Sequence, residues 1–255
     1  MFVPLAVEAA ADEAIVSTVV LRSISMAGND AHDTITFVKK FFLPFGTLRA
    51  ALSSFLFLLT ACTPAPAATP LPPSGTVLFQ DEFENNTSGW DRLANDVGIM
   101  DYDSGGYRML IRQPQMNFWS TPEMDLRDVR IETDVTKLNG PSENRIGLMC
   151  RYKNGNYYFF IISNDGYYAI GKFINGQTVL LGQSEMLASE MIQADTNNHL
   201  RADCIGDSLV FYVNYDLIAG AKDSDLSMGD VGLLTGSFAQ PGVDVLFDNF
   251  VVMQP

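Results

Sequence analysis

The sequence predicts an all-β, two-sheet antiparallel jelly-roll sandwich that follows an export leader and a proline-rich linker. Short runs rich in Tyr, Phe, Ile and Val recur from residue 76 onward, and Asn-Gly and Asp-Gly turn signals separate them. No long stretch has the 3.6-residue apolar period of an amphipathic helix. With 47% hydrophobic and 11% aromatic residues, the chain can build one large core. We therefore predict a single β domain over residues 76–255.

A signal peptide is predicted at residues 38–61. Lys39 and Lys40 precede an apolar run, which ends in small residues, as in export signals. The sequence Leu59-Thr60-Ala61-Cys62 resembles a bacterial lipobox. This resemblance implies cleavage before Cys62 and attachment of acyl chains, which anchor a protein stably to a membrane. The alternative is a buried cysteine in an ordinary helix.

Residues 1–37 do not fit this layout, because an export signal normally starts close to its basic residues. We predict that they are a wrongly assigned or disordered extension and that translation starts at Met26 or near Val38. Residues 62–75 contain five prolines and no charge, which is typical of a semi-rigid tether. The prediction is an exported, lipid-anchored protein whose domain lies outside the cytoplasm.

The charge of the chain restricts its partners. The formal net charge is −14, and residues 62–255 carry 12 Lys and Arg against 25 Asp and Glu. An acidic surface repels phosphate backbones and anionic headgroups, so nucleic acid is excluded as a partner. Neutral sugars and cations remain compatible with it.

The clearest strands form a meander over residues 146–181. Its turns are predicted at Asn154-Gly155, Asn164-Asp165-Gly166 and Asn175-Gly176, whose residues adopt the positive φ values of tight hairpins. Residues 184–192 form one helical turn or none. Further strands are predicted near residues 76–83, 106–112, 128–138, 199–206, 208–214, 216–221, 229–235 and 244–253.

Both faces of the run at residues 157–162 are apolar. Tyr157, Phe159 and Ile161 lie on one side, because side chains alternate along a strand. One face is expected to cover the core, and the opposite face either lines a groove or packs under a second layer.

Three segments resemble the concanavalin A-like lectin/glucanase superfamily: Asp81-Glu82-Phe83, residues 144–151 and residues 247–251. The likeness is greatest to exported bacterial domains of the 3-keto-disaccharide hydrolase type, which are LamG-like. It implies that the first and last strands pair and that a concave face holds carbohydrate in many relatives. It also implies a possible structural calcium, for which the candidate oxygen ligands are Asp81, Glu82 and Asp248.

The candidate catalytic residues are Glu132 and Asp134. They resemble part of the Glu-x-Asp-x-x-Glu strand of laminarinase-like glucanases, but Lys137 stands where the third acid is expected. A polar stripe facing solvent is the alternative. His199 has no neighbouring Ser, Cys or metal ligand in the sequence, so it predicts neither a triad nor a zinc site.

Two cysteines, Cys150 and Cys204, lie in predicted strands of the exported domain. They are expected to form a disulfide, although two buried free thiols are the alternative.

Aromatic side chains and polar groups at strand ends provide a candidate sugar site, because a sugar ring stacks on an aromatic face while polar groups bind its hydroxyls. The candidate ligand-binding residues are Arg151, Tyr152, Tyr158, Asn164 and Tyr168.

Three functions are consistent with these features. The first is a surface-anchored lipoprotein with a non-catalytic, lectin-like domain whose partner is a carbohydrate or a cell-surface glycan. The second is a glycoside-processing hydrolase of the 3-keto-disaccharide type, and the third is a structural or adhesion lipoprotein without a small ligand.

Overall fold

The computed structural model describes residues 71–255, which form two antiparallel β-sheets. The predicted all-β jelly-roll sandwich is confirmed. The predictions for residues 1–37, for the signal peptide at 38–61, for Cys62 and for the tether up to residue 70 lie outside the described residues. Between residues 71 and 255, no helix has the length and apolar character needed to cross a membrane.

The sixteen strands of the described residues are named in chain order. They are β1 (Val77–Asp81), β2 (Leu93–Asn95), β3 (Gly98–Asp103), β4 (Gly106–Ile111), β5 (Asn117–Ser120), β6 (Val129–Asn139), β7 (Asn144–Lys153), β8 (Asn156–Ser163), β9 (Tyr167–Ile174), β10 (Gln177–Leu180), β11 (Leu187–Ala188), β12 (Asn197–Ile205), β13 (Ser208–Val213), β14 (Asp216–Lys222), β15 (Asp230–Ser237) and β16 (Val243–Met253).

Sheet A has nine strands in the order β14-β13-β12-β6-β16-β4-β3-β2, and β1 also pairs with β16. Sheet B has seven strands in the order β10-β9-β8-β7-β15-β5, and β11 pairs with β9. The first and last strands pair with Asp81 opposite Phe250, as the resemblance implies.

The predicted hairpins occur where the turn chemistry is strongest. Asn154 and Gly155 join β7 to β8 with φ values of 52° and 77°, and Asn175 and Gly176 join β9 to β10 with the same pair of values. Strands β2, β3, β5 and β11 were not predicted, because they are short or carry polar residues. The segment at residues 184–192 contains β11 and turns, with no helical turn.

The main core lies between the sheets. Tyr158, Phe160 and Ile162 of β8 point into it, and Phe160 contacts Phe211 of sheet A with ring centroids 5.8 Å apart. The predicted disulfide between Cys150 and Cys204 is confirmed. Because Cys150 lies in β7 and Cys204 in β12, the bond joins the two sheets.

Candidate functional site

A second apolar cluster lies on the side of sheet B that faces away from the main core, which we call face B. Buried side chains from β7, β8, β9 and β15 form it, and the half-buried Trp119 and Tyr152 pack against them. Strand β8 is therefore covered by apolar contacts on both sides, as its sequence predicts. The buried members are Met149, Tyr157, Phe159, Ile161, Ala169, Phe173 and Leu234.

Glycines let face B side chains lie close to the sheet. A Cβ atom on Gly171 would lie 2.2 Å from Cζ of Phe159, so the ring occupies the space above that glycine. Tyr157 stacks on Phe173 with centroids 5.5 Å apart. These packed rings form an apolar layer whose buried members are only 0–6% exposed, so solvent is reached mainly at its border, by half-buried side chains such as Trp119 and Tyr152.

A polar row crosses one end of face B. Gly236 of β15 is the cross-strand partner of Asn117 on β5 and of Arg145 on β7, so the three residues lie side by side. A Cβ atom on Gly236 would lie 2.1 Å from Asn117 Oδ1 and 2.7 Å from Arg145 Nε. Because Gly236 has no side chain, Asn117 Oδ1 and Arg145 Nε can both lie over its backbone.

Asn117 Oδ1 and Arg145 Nε are both buried without a hydrogen-bond partner. Asn117 is only 4% exposed. Buried polar atoms in proteins are almost always hydrogen-bonded, and an unpaired one costs about 1–3 kcal/mol. An unpaired acceptor and an unpaired donor therefore lie in one row, and because both atoms are enclosed, a ligand reaches them only if the Asn117 or Arg145 side chain moves.

The electrostatics of Arg145 are unusual in this acidic domain. Its Nη2 donates to the carbonyl oxygen of Ser237, and its guanidinium lies 4.5 Å from the ring centroid of Phe238. Among residues 71–255 no carboxylate forms an ion pair with Arg145, whereas Arg108 and Arg201 each pair with an aspartate. Burial lowers the pKa of Arg145 to about 10, so the group remains protonated at neutral pH.

The structure does not bring the five predicted ligand-binding residues together, and Arg151 lies inside the protein. Its side chain is 1% exposed, and it donates to the carbonyl oxygens of Arg127 and Leu226. The cause is a bulge between Cys150 and Lys153, where Arg151 has a φ of 56° and leaves the normal alternation of the strand.

The remaining four predicted residues are dispersed. Tyr158 is fully buried and donates to Asp223, and burial raises its pKa to about 12. Asn164 is buried and donates to the carbonyl oxygen of Ala194. Tyr168 packs against the main core, and Tyr152 alone borders face B. The site described above therefore uses residues that the sequence did not single out, since both Asn117 and Arg145 depend on strand register.

The structure does not bring the predicted calcium ligands Asp81, Glu82 and Asp248 together as a group of three. Both carboxylate oxygens of Asp81 already accept hydrogen bonds, from Phe83 N and from Trp90 Nε1. Glu82 is exposed and accepts from Gln80. Within residues 71–255, no group of three His, Cys, Asp or Glu side chains is arranged to hold a metal ion.

The candidate catalytic residues meet His199 on the outer side of sheet A. His199 Nδ1 lies 2.9 Å from Asp134 Oδ1, and its Nε2 lies 3.6 Å from Glu132 Oε2. This contact follows from the register, which places His199 opposite Asp134 on β6. Asn249 donates to the second oxygen of Asp134, and Tyr215 stacks on the imidazole.

This arrangement predicts a pH-dependent contribution to stability. Glu132, followed by Asp134, raises the pKa of His199 above that of a free imidazole, against the opposing effect of partial burial. In return, His199 lowers the pKa of Glu132. Arg201 also faces Glu132, at 4.0 Å.

Because the pKa of His199 is raised by folding, its contribution is full below the unfolded pKa and is lost as the pH rises through the folded pKa. We expect the unfolding free energy of the wild type to decline as the pH rises above about 6.5, the ordinary pKa of histidine, and that of His199→Asn to show less of this decline. Urea denaturation at several pH values measures it. Identical pH profiles for variant and wild type would refute the role of the imidazole.

Comparison with known proteins supports the fold. No protein-family model and no curated protein matches the chain. Among solved structures, the carbohydrate-binding module CBM66 from Bacillus subtilis is 21% identical, with a TM-score of 0.55 over 66% of this chain and 97% of that chain. A Bacillus subtilis protein of unknown function with a galectin-like fold is 13% identical, with a TM-score of 0.55 over 71% of this chain and 97% of that chain.

A third similar structure is the GH43 protein BlXynB from Bacillus licheniformis, at 14% identity and a TM-score of 0.52. It matches 69% of this chain but only 39% of that larger chain. At these identities the likenesses show a shared jelly-roll fold, in agreement with the concanavalin A-like resemblance. They do not test the likeness to 3-keto-disaccharide hydrolases.

Proposed function

We propose that the domain is a non-catalytic glycan-recognition module and that face B binds the sugar. The observation that carries this proposal is the row of Asn117, Gly236 and Arg145, in which a buried acceptor and a buried donor lack partners. A sugar hydroxyl both donates and accepts, so one hydroxyl that enters this row as the Arg145 side chain moves aside can satisfy Asn117 Oδ1 and a guanidinium N–H together.

The neighbouring residues supply the apolar contact that sugar rings require. Trp119 lies two residues after Asn117 on β5 and packs on face B. On the next row, Leu234 is the partner of both Trp119 and Gly147. A Cβ atom on Gly147 would lie 1.9 Å from the carbonyl oxygen of Phe160, so this glycine opens no space on face B. The half-buried Trp119 indole on the edge strand β5 is the aromatic face available to the CH groups of a sugar.

The proposal also draws support from the relatives of this fold. One similar structure is a carbohydrate-binding module by name, and a second belongs to a GH43 protein. The hydrolase alternative depends on Glu132 and Asp134, which lie on sheet A and are held by His199. A glycosidase needs two carboxyl groups free to flank the scissile bond, so recognition without turnover suits this arrangement better.

The proposal also includes export of the protein and acylation of Cys62. The lipobox-like sequence ending at Cys62 and the proline-rich residues that follow would place the domain outside the cytoplasm at a membrane. Feeding cells an alkyne fatty acid tests this assignment. Label is expected on the wild-type protein and absent from Cys62→Ser, and unlabelled, cytoplasmic wild-type protein would contradict it.

A glycan array tests the proposed function. The protein, produced in an oxidising compartment so that the disulfide forms, is expected to bind a defined subset of glycans, and the free glycan should compete in a saturable manner. Release of sugar from the bound glycan would instead favour the hydrolase. Absence of binding to every glycan would reject recognition and favour a structural or adhesion role.

A further inference from the structure

The hairpin between β13 and β14 has a tyrosine at a turn position where glycine is strongly preferred. Its two turn residues, Asn214 and Tyr215, have φ values of 52° and 72°. Such turns require positive φ at both positions, and glycine is strongly preferred at the second. Three other hairpin turns with positive φ at both positions, Ser104-Gly105, Asn154-Gly155 and Asn175-Gly176, have glycine second. Tyrosine in this conformation is strained, and such strain is characteristic of functional positions.

The strained residue presents an aromatic ring to solvent. Tyr215 is 80% exposed. One face of its ring stacks on His199, with centroids 4.5 Å apart and an interplanar angle of 18°. The imidazole is fixed in turn by Asp134, at 2.9 Å, and by Glu132. The opposite face of the Tyr215 ring is thereby held in a constant orientation.

We propose that the Tyr215 ring is a second ligand site, separate from face B, and that it binds the apolar face of a neutral sugar. Glu132, Asp134 and Asn249 lie on the His199 side of the ring, where they hold the imidazole, so the opposite, exposed face of the Tyr215 ring makes the contact with the sugar.

The charges around the ring determine the class of ligand. Asp248 is the cross-strand partner of Asp134, and Asp216 follows Tyr215 directly, so the surface around the ring is rich in carboxylates. These groups repel uronic acids, sialic acids and phosphates. A neutral sugar avoids this repulsion.

The substitution Tyr215→Gly separates binding from stability. Glycine is the preferred residue at this turn position, so the variant is expected to unfold at the same or a higher denaturant concentration than wild type. If Tyr215 served only to cover His199, the same substitution would lower the denaturation midpoint. Tyr215→Phe keeps the ring, and Leu217→Ser removes a neighbouring exposed side chain (63% exposed) as a matched control.

The test titrates the full chain carrying Arg145→Met, in which face B is disabled, with cellotriose, laminaritriose and maltotriose. With labelled tyrosine, the Tyr215 ring signal, assigned by its loss in Tyr215→Gly, is expected to shift with at least one trisaccharide. Tyr215→Gly is expected to weaken that binding about 5- to 10-fold, and Tyr215→Phe and Leu217→Ser to change it less than about threefold.

Three outcomes overturn the proposal. They are the absence of any Tyr215 shift with the three sugars, equal sugar binding by Tyr215→Gly and wild type, and a shift produced by oligolysine but not by sugars. The last outcome would assign the ring to a basic peptide.

Discussion

Arg145→Met is expected to weaken glycan binding by about 10- to 100-fold, because a hydrogen bond from a charged donor contributes about 1.5–3 kcal/mol. Methionine keeps most of the apolar volume of arginine and removes its donors. The unfolding free energy is expected to fall by less than about 1 kcal/mol, since the guanidinium is buried and has no carboxylate partner among residues 71–255. Titration calorimetry with the best glycan of the array and urea denaturation measure the two effects.

Arg112→Met is the matched control. Arg112 is exposed, and its Nη1 donates to the carbonyl oxygen of Asn95, away from face B. The same change in net charge at this position should leave affinity unaltered. Equal affinity of wild type and Arg145→Met would show that the glycan binds elsewhere on the domain.

Removal of the disulfide is expected to produce the largest loss of stability. The bond between Cys150 and Cys204 closes a chain segment with a sequence separation of 54. Constraining a loop of that length in the unfolded chain stabilises the folded state by about 4 kcal/mol. The double substitution of both cysteines by alanine should therefore lower the denaturation midpoint by roughly 10 °C for a domain of this size.

Reductant supplies the control for the cysteine variant. Reduced wild-type protein should match the double-alanine variant, and reductant should leave that variant unaffected. A loss below about 1 kcal/mol would mean that packing between the sheets, and not the covalent constraint, accounts for stability at this position.

The sequence predicted the sandwich because local chemistry and tertiary structure agree in this chain. Asn154-Gly155 and Asn175-Gly176 specify hairpins independently of the rest of the fold, and β8 is apolar enough on both sides to be recognised as central. The short strands β2 and β5 were missed, because their pairing with sheet neighbours, and not their own composition, makes them strands.

The site residues were harder to predict, because they depend on register and on one irregularity. Asn117 and Arg145 are 28 positions apart and meet only through Gly236. Arg151 was expected to bind ligand, but the positive φ at this residue turns its side chain inward, which alternation along the strand does not anticipate. His199 is likewise a lone histidine in the sequence and acquires its carboxylate neighbours through the pairing of β12 with β6.

Binding of sugar in the row around Gly236 is tested most directly by adding a single methyl group at this glycine. Alanine at position 236 would place its Cβ 2.1 Å from Asn117 Oδ1 and 2.7 Å from Arg145 Nε, so both side chains must move. Gly220→Ala is the control, because the nearest atom to its Cβ is 3.9 Å away. On the glycan array, Gly236→Ala is expected to lose binding while Gly220→Ala retains it. Full binding by a correctly folded Gly236→Ala protein would contradict the assignment of face B.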